Sequence, residues 1–431
     1  MMKAYLSYLA LLFLAQSLSA VTFKIDYTYD LADESIEGSI PFFGDPNNPN
    51  DGRKERRDAI EAVAAFFSEL INDEFLVIDA SEFSQAEWTP QFRNPSTGEI
   101  ISLPTTTVIP ANEVVIYVGS MDLQGNILGS AGPAGFRARG FNPWFERLRG
   151  RGQIGALATP ATDTAVWGGQ ISFDSPRSWN FSLSQNEPGF EFIAVAIHEF
   201  CHILGIGTSN SWNNLIESNS SFSGVNSNRS LGNLTVDSDG GHFSIGIPSS
   251  VSFQSFNVTH GTSQPALMRA SISDDGSSFN VVTDLDLAAL IDIGWQIQVP
   301  TTIDTFTVQS GNPILTWLSS SFLEYQIMRS TDLEIYTQQG SNITGNGTIQ
   351  SWTDPTMPLN KAFYRIRSIP ASQQTQAAGS SAITSNLVSP SPLNVSRDYY
   401  REESHPPAPP IICGGDNVHA CETCDKNHQE K

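Results

Sequence analysis

The chain has 431 residues, with 23 basic against 45 acidic side chains and a formal charge of −22. A balance this acidic repels polyanions and excludes nucleic acid and anionic membrane surfaces as natural partners. Its length is enough for two or three domains, and its four cysteines are too few and too clustered to frame the main body with disulfides.

Taken in chain order, residues 1–20 carry Lys3, an apolar run from Tyr8 to Ala15, and small residues ending at Ser19 and Ala20. That pattern predicts a signal peptide and a secreted, extracellular or periplasmic protein. Its apolar part is too short for a membrane span, and no transmembrane segment is expected elsewhere. Phe23 to Tyr29 alternates as a strand does. Over 53–71, Ile60, Val63, Ala64, Phe67, Leu70 and Ile71 recur at helical spacing and predict an amphipathic helix laid on a sheet. Val114–Gly119 and Gly168–Asp174 read as short buried strands, the second closed by turn chemistry at Asp174-Ser175-Pro176.

The stretch from His198 to Gly205 (HEFCHILG) follows the apolar run Phe190–Ile197 and ends in a glycine, the residue type that helices use to stop. On a helix, His198 and His202 stand one above the other, about 6 Å apart. Two imidazoles so placed can share one zinc ion, with the carboxylate of Glu199 beside its open position. Cys201 falls on another side of the helix and is expected in the packing. A catalytic zinc needs a third protein ligand. Thr208 stands where a compact site would supply a histidine, so the ligand must come from further on. The spacing favours His242, in Asp239-Gly240-Gly241-His242-Phe243, over His260 or a carboxylate. Asp237 with Asp239, and Asp274 with Asp275, are candidate calcium ligands. Thr283 and Asp286 read as a capping box opening a helix that ends at Gly294.

HEFCHILGIG, TSNSW, GGHF, QPALM and TDLDLAALIDIGW together resemble the metzincin metalloproteases, the likeness being to leishmanolysin-like and related secreted bacterial members. There an insertion displaces the third histidine. The resemblance extends over about residues 21–299 and is most specific at the helix and at 264–295. It implies an α+β zincin domain, a twisted mixed sheet with an active-site helix. It also implies His198, His202 and His242 as zinc ligands, Glu199 as general base and Met268 as the packing methionine of the methionine turn. Arg269 and Ala270 follow Met268, so no tyrosine ligand is implied there. The function implied is a zinc metalloendopeptidase that cleaves protein or peptide substrates with a zinc-bound water. A secreted surface-binding protein with an inactive protease domain is the alternative, but it would place no demand on Glu199.

From 300 to 370 the pattern changes to short strands separated by turns, which predicts a small β-sandwich resembling fibronectin-type or immunoglobulin-like appendages. Residues 371–431 are rich in Ser, Gln, Ala, Thr and Pro and read as a low-complexity, disordered tail outside the catalytic core. Cys413, Cys421 and Cys424 in that tail suggest a disulfide or a link to a partner, with a small structural zinc site as the other possibility.

Overall fold

In a computed structural model, the described residues are 21–32, 40–48, 50–182, 189–253, 256, 261–272, 281–356 and 361–371, with the backbone of 400–403 and 411–415. The expected signal peptide at 1–20, His260, Asp274, Asp275, Cys421 and Cys424 lie outside them. Among the described residues no helix is long and apolar enough to cross a membrane.

A mixed sheet carries the first unit. Thr22–Asp26 pairs parallel with Glu113–Met121, which pairs parallel with Gly168–Asp174, and Ile127–Pro133 closes on that strand antiparallel. Val114 to Val118 is buried throughout, because both faces of the sheet are covered, and it therefore shows no polar alternation. On one face lies the helix Lys54–Leu70, whose Ile60, Val63, Ala64, Phe67 and Leu70 are buried as their spacing requires. Ile71 is buried as well, but in extended backbone just past the helix end. The histidine-bearing helix Phe192–Ile203 packs on the same face and is buried at every residue. Phe67 stacks on its Phe200 with ring centroids 5.5 Å apart, and Phe23 meets Phe200 edge-on at 6.0 Å.

The opposite face holds a second core around Trp88, Trp144 and Trp167. Trp88 belongs to a further antiparallel sheet formed by Glu87–Arg93, Ile100–Ser102 and Gly135–Gly140. Between the two layers Arg151 is completely buried and donates to the carbonyls of Leu76, Pro110, Glu113 and Val166, so backbone oxygens absorb its donors.

The helix Asp284–Asp292 starts with the expected capping box, with both reciprocal bonds formed between Thr283 and Asp286. Asp286 also does something the box alone does not predict. Fully buried, it accepts the backbone N–H of Leu267 and of Met268, both at 3.0 Å, and so fixes the turn beside the histidines. Beyond residue 300, two three-stranded antiparallel sheets form: Thr305–Gln309 with Asn312–Leu318 and Ile349–Thr353, and Thr337–Thr344 with Leu323–Ser330 and Phe363–Pro370. Trp317 of one meets Tyr325 of the other, centroids 5.7 Å apart. Ser368 donates to the Val299 carbonyl and ties this unit to the end of the first.

The tail departs from expectation. Residues 400–403 pair with Gly135–Gly140, and 411–415 enter the main sheet between Ile127–Pro133 and Ser271–Ile272. A polar composition withholds side chains from a core, but strand addition uses only backbone N–H and C=O groups.

Removing the Asp286 carboxylate would leave four buried donors without an acceptor: two from the turn, plus the Thr283 N–H and hydroxyl. Asp286→Ala is expected to lose at least about 3 kcal/mol of stability, since one unsatisfied buried donor alone costs roughly 1–3. Urea unfolding of variant and parent side by side checks this.

Candidate metal centre

His198 and His202 project from one face of the helix Phe192–Ile203, four residues apart, and their ring centroids are 4.7 Å apart. The helix ends at once. Gly205 takes φ +110°, its N–H bonding to the His202 carbonyl and that of Ile206 to the Cys201 carbonyl. Thr208 does not face the centre, because its hydroxyl donates to the His202 carbonyl at 2.6 Å. The chain then makes a long excursion and returns. Trp212 anchors the return by donating to Gly240 O at 2.8 Å, and His242 comes in against the other two rings. Its centroid lies 4.9 Å from that of His202 and 5.2 Å from that of His198. His198, His202, His242 and Glu199 are all 0% exposed.

Which nitrogens face inward follows from what the others touch. His198 Nδ1 sits 2.9 Å from Leu267 O, and His202 Nδ1 sits 2.9 Å from Ile206 O. A carbonyl can only accept, so both Nδ1 atoms carry the proton and both Nε2 atoms present a lone pair. His242 Nδ1 faces carboxylate oxygens, of Asp237 at 3.3 Å and of Asp239 at 3.9 Å. The Nε2 atoms then meet: His202 to His198 at 3.0 Å and His202 to His242 at 3.2 Å. Gathered at that separation, the three nitrogens could hold a metal ion between them. The donor set is nitrogen-only, and His198 and His202 are oriented from behind by backbone carbonyls, which suits zinc.

The three rings differ in their protonation equilibria. Burial, then the neighbouring imidazoles, hold His198 far below the ordinary histidine range, and burial with His242 brings His202 down to about 3. Burial also disfavours a charged His242, but Asp237 and Asp239 outweigh it and raise this ring to about 9. The turn carrying them is self-bonded, Gly241 N–H reaching Asp239 and His242 N–H reaching Asp237. Asp237 and Asp239, candidate calcium ligands in the sequence, place carboxylate oxygens 3.3 and 3.9 Å from His242 Nδ1 and form with that ring a second group that could hold a metal ion.

Met268 is buried beside the centre. Its N–H goes to Asp286, and its carbonyl accepts from Phe243 N–H at 2.8 Å, which couples the methionine turn to the residue after His242. Cys201 lies in the core as expected, and burial pushes its thiol well up. One contact had no signal in the sequence. A Cβ added to Gly129, on the strand Ile127–Pro133, would stand 2.5 Å from Glu199 Oε1. Only a glycine lets that strand pass so close to the carboxylate.

With this geometry in view, comparison with protein families is informative. The model of the matrixin family of peptidases matches residues 142–234. It supports a zinc metalloprotease of the metzincin type. The matched span holds His198, Glu199 and His202 and stops short of His242 and Met268. Comparison with curated proteins and with solved structures gave no match. The family implies a catalytic zinc, and the group His198, His202 and His242 could hold a metal ion.

Two outcomes follow. His242→Ala is expected to bring zinc content, measured by mass spectrometry of the dialysed protein, from one equivalent to near zero. Gly129→Ala is expected to keep the metal and still lower any hydrolytic rate, by on the order of 10²-fold if Glu199 is displaced by about 1 Å. Steady-state kinetics beside metal analysis separates the two.

Proposed function

We propose that the protein is a secreted zinc-dependent endopeptidase, in which His198, His202 and His242 hold the metal and Glu199 is the general base. The observation that carries this is the convergence of three Nε2 atoms in a fully buried pocket, with His198 and His202 held by carbonyls behind Nδ1 and His242 Nδ1 3.3 Å from Asp237. Zinc held by three imidazoles with one position open acidifies water and polarises a peptide carbonyl.

The residues of the chain divide the remaining work. Glu199, next to His198 on the helix, takes a proton from the attacking water and delivers it to the leaving amine. The strand Ile127–Pro133 passes against Glu199 and offers its outer edge to an extended peptide, which adds as a further strand and brings its own backbone to the carboxylate. Met268 and Asp286 keep the turn behind His198 in place. The displaced third histidine and the leishmanolysin-like character belong to the same reading, as does secretion, which rests on the leader-like residues 1–20. The unit at 300–370 is read as a fibronectin- or immunoglobulin-like appendage. The competing reading, a surface-binding protein with an inactive protease domain, leaves a buried carboxylate pressed against Gly129 without a task.

Glu199→Gln keeps the size and much of the hydrogen bonding of the side chain but deletes the base. It should retain one zinc and lose about 10²–10⁴-fold in kcat/KM on casein or a quenched peptide. Hydrolysis at the parent rate would place the chemistry elsewhere, and zinc without hydrolysis in the parent itself would favour the binding-protein reading.

A further inference from the structure

The tail pairs twice with the catalytic unit. Residues 400–403 run antiparallel to 137–140, and 411–414 run antiparallel to 127–131. The two partners are successive strands of different sheets, and the two pairings differ in register by two residues. On its far side, 414–415 pair parallel with Ser271 and Ile272, just past Met268. The segment therefore lies between the strand Ile127–Pro133 and the stretch that follows the methionine turn.

Its register carries the inference. Cys413 stands opposite Gly129, the residue against which the Glu199 carboxylate rests. The backbone of 411–415 thus crosses the sheet edge at the level of the general base. The main-chain groups of 127–131 that an extended substrate would need are already paired. Pro406, Pro407, Pro409 and Pro410 precede Ile411 in the sequence and lack an N–H, so pairing with this edge is favoured only from Ile411 onward.

We propose that residues 411–415 are an internal competitor that occupies the substrate edge of the catalytic strand and holds off peptide substrates, an inference that rests on the peptidase reading above. Main-chain pairing makes the occupant independent of side-chain sequence, as strand addition generally is. Attachment to the same chain gives it an effective concentration on the order of millimolar, against which a free peptide must compete. Few residues are paired, so the strand exchanges and the edge opens reversibly. Displacement by a high substrate concentration, or removal of the tail by cleavage, would release activity.

Consecutive residues of a strand turn their N–H groups to opposite neighbours, so the full-length double variant Ile412→Pro/Cys413→Pro removes a donor from each side of the added strand. Relative to the parent, the variant is expected to show a KM for a quenched peptide lower by at least about tenfold, with kcat, zinc content and Tm unchanged. Hydrogen exchange at the amides of 129–131 should quicken by a similar factor. A synthetic peptide of residues 406–416 carrying Cys413→Ser, added to the variant, should inhibit competitively and slow that exchange again. An unchanged KM or unchanged exchange overturns the proposal, and so does a fall in Tm or zinc content that accounts for the kinetics, since that is the signature of a structural strand. If neither chain hydrolyses any substrate, the peptidase reading fails, and anisotropy of a fluorescent casein peptide decides the edge separately. Tighter binding to the variant supports occupancy, and equal binding overturns it.

Discussion

The rest of the structure depends on the convergence of three buried imidazoles. Three imidazoles are pressed together with their Nε2 atoms inward; His198 and His202 are held by carbonyls behind their Nδ1 atoms, and His242 Nδ1 lies 3.3 Å from Asp237. Those acceptors come from three places. Ile206 O belongs to the turn that ends the helix, Leu267 O to the methionine turn, and Asp237 to the turn preceding His242. Together they bear on where the ring nitrogens point. The backbone from Gly205 to Met268 can be understood as the scaffold for these three contacts, with Asp286 bracing the second of them from below. A buried carboxylate that holds backbone N–H groups costs desolvation, and its four hydrogen bonds offset that cost at the one turn where a shift would reorient His198.

The parts of this arrangement legible in the sequence are those set by local spacing. His198 and His202 share a face because four residues make about one turn. Thr283 and Asp286 form their reciprocal bonds because a capping box is a matter of three consecutive peptide units. Gly168–Asp174 falls where its apolar run places it. What stayed hidden is set by distant partners. Glu87–Arg93 contains Pro90 and several polar residues, and it is a strand only because Gly135–Gly140 and Ile100–Ser102 flank it. Gly129 looks like any glycine until the Glu199 carboxylate is seen against it. That the Asp237 and Asp239 carboxylates face His242 depends on the return of His242 to the helix and could not be read locally. The two short strands of the tail were hidden for a related reason: strand addition uses backbone groups, which leave no mark in composition.

An open sheet edge is both a means of binding and a hazard. Without 411–415, the outer N–H and C=O groups of Ile127–Pro133 would suit an extended peptide of nearly any sequence, and another copy of the chain or an aggregate equally well. A covering strand addresses both. It is weak enough to be displaced, and it protects the edge when no substrate is present.

The residues of the edge strand are themselves informative on this point. Gly129, Ser130, Ala131 and Gly132 are small where a strand built for packing would carry β-branched or aromatic side chains. Such a strand gains little from side-chain contacts with its neighbour and relies on backbone pairing. Small residues also let the strand approach the helix, and the approach is closest at Gly129 and Glu199. The features that make recognition independent of side chains therefore also bring the paired backbone to the carboxylate. A peptide, whether substrate or tail, that satisfies the hydrogen bonds of this edge is carried past Glu199 by the same register, and binding and positioning become a single event.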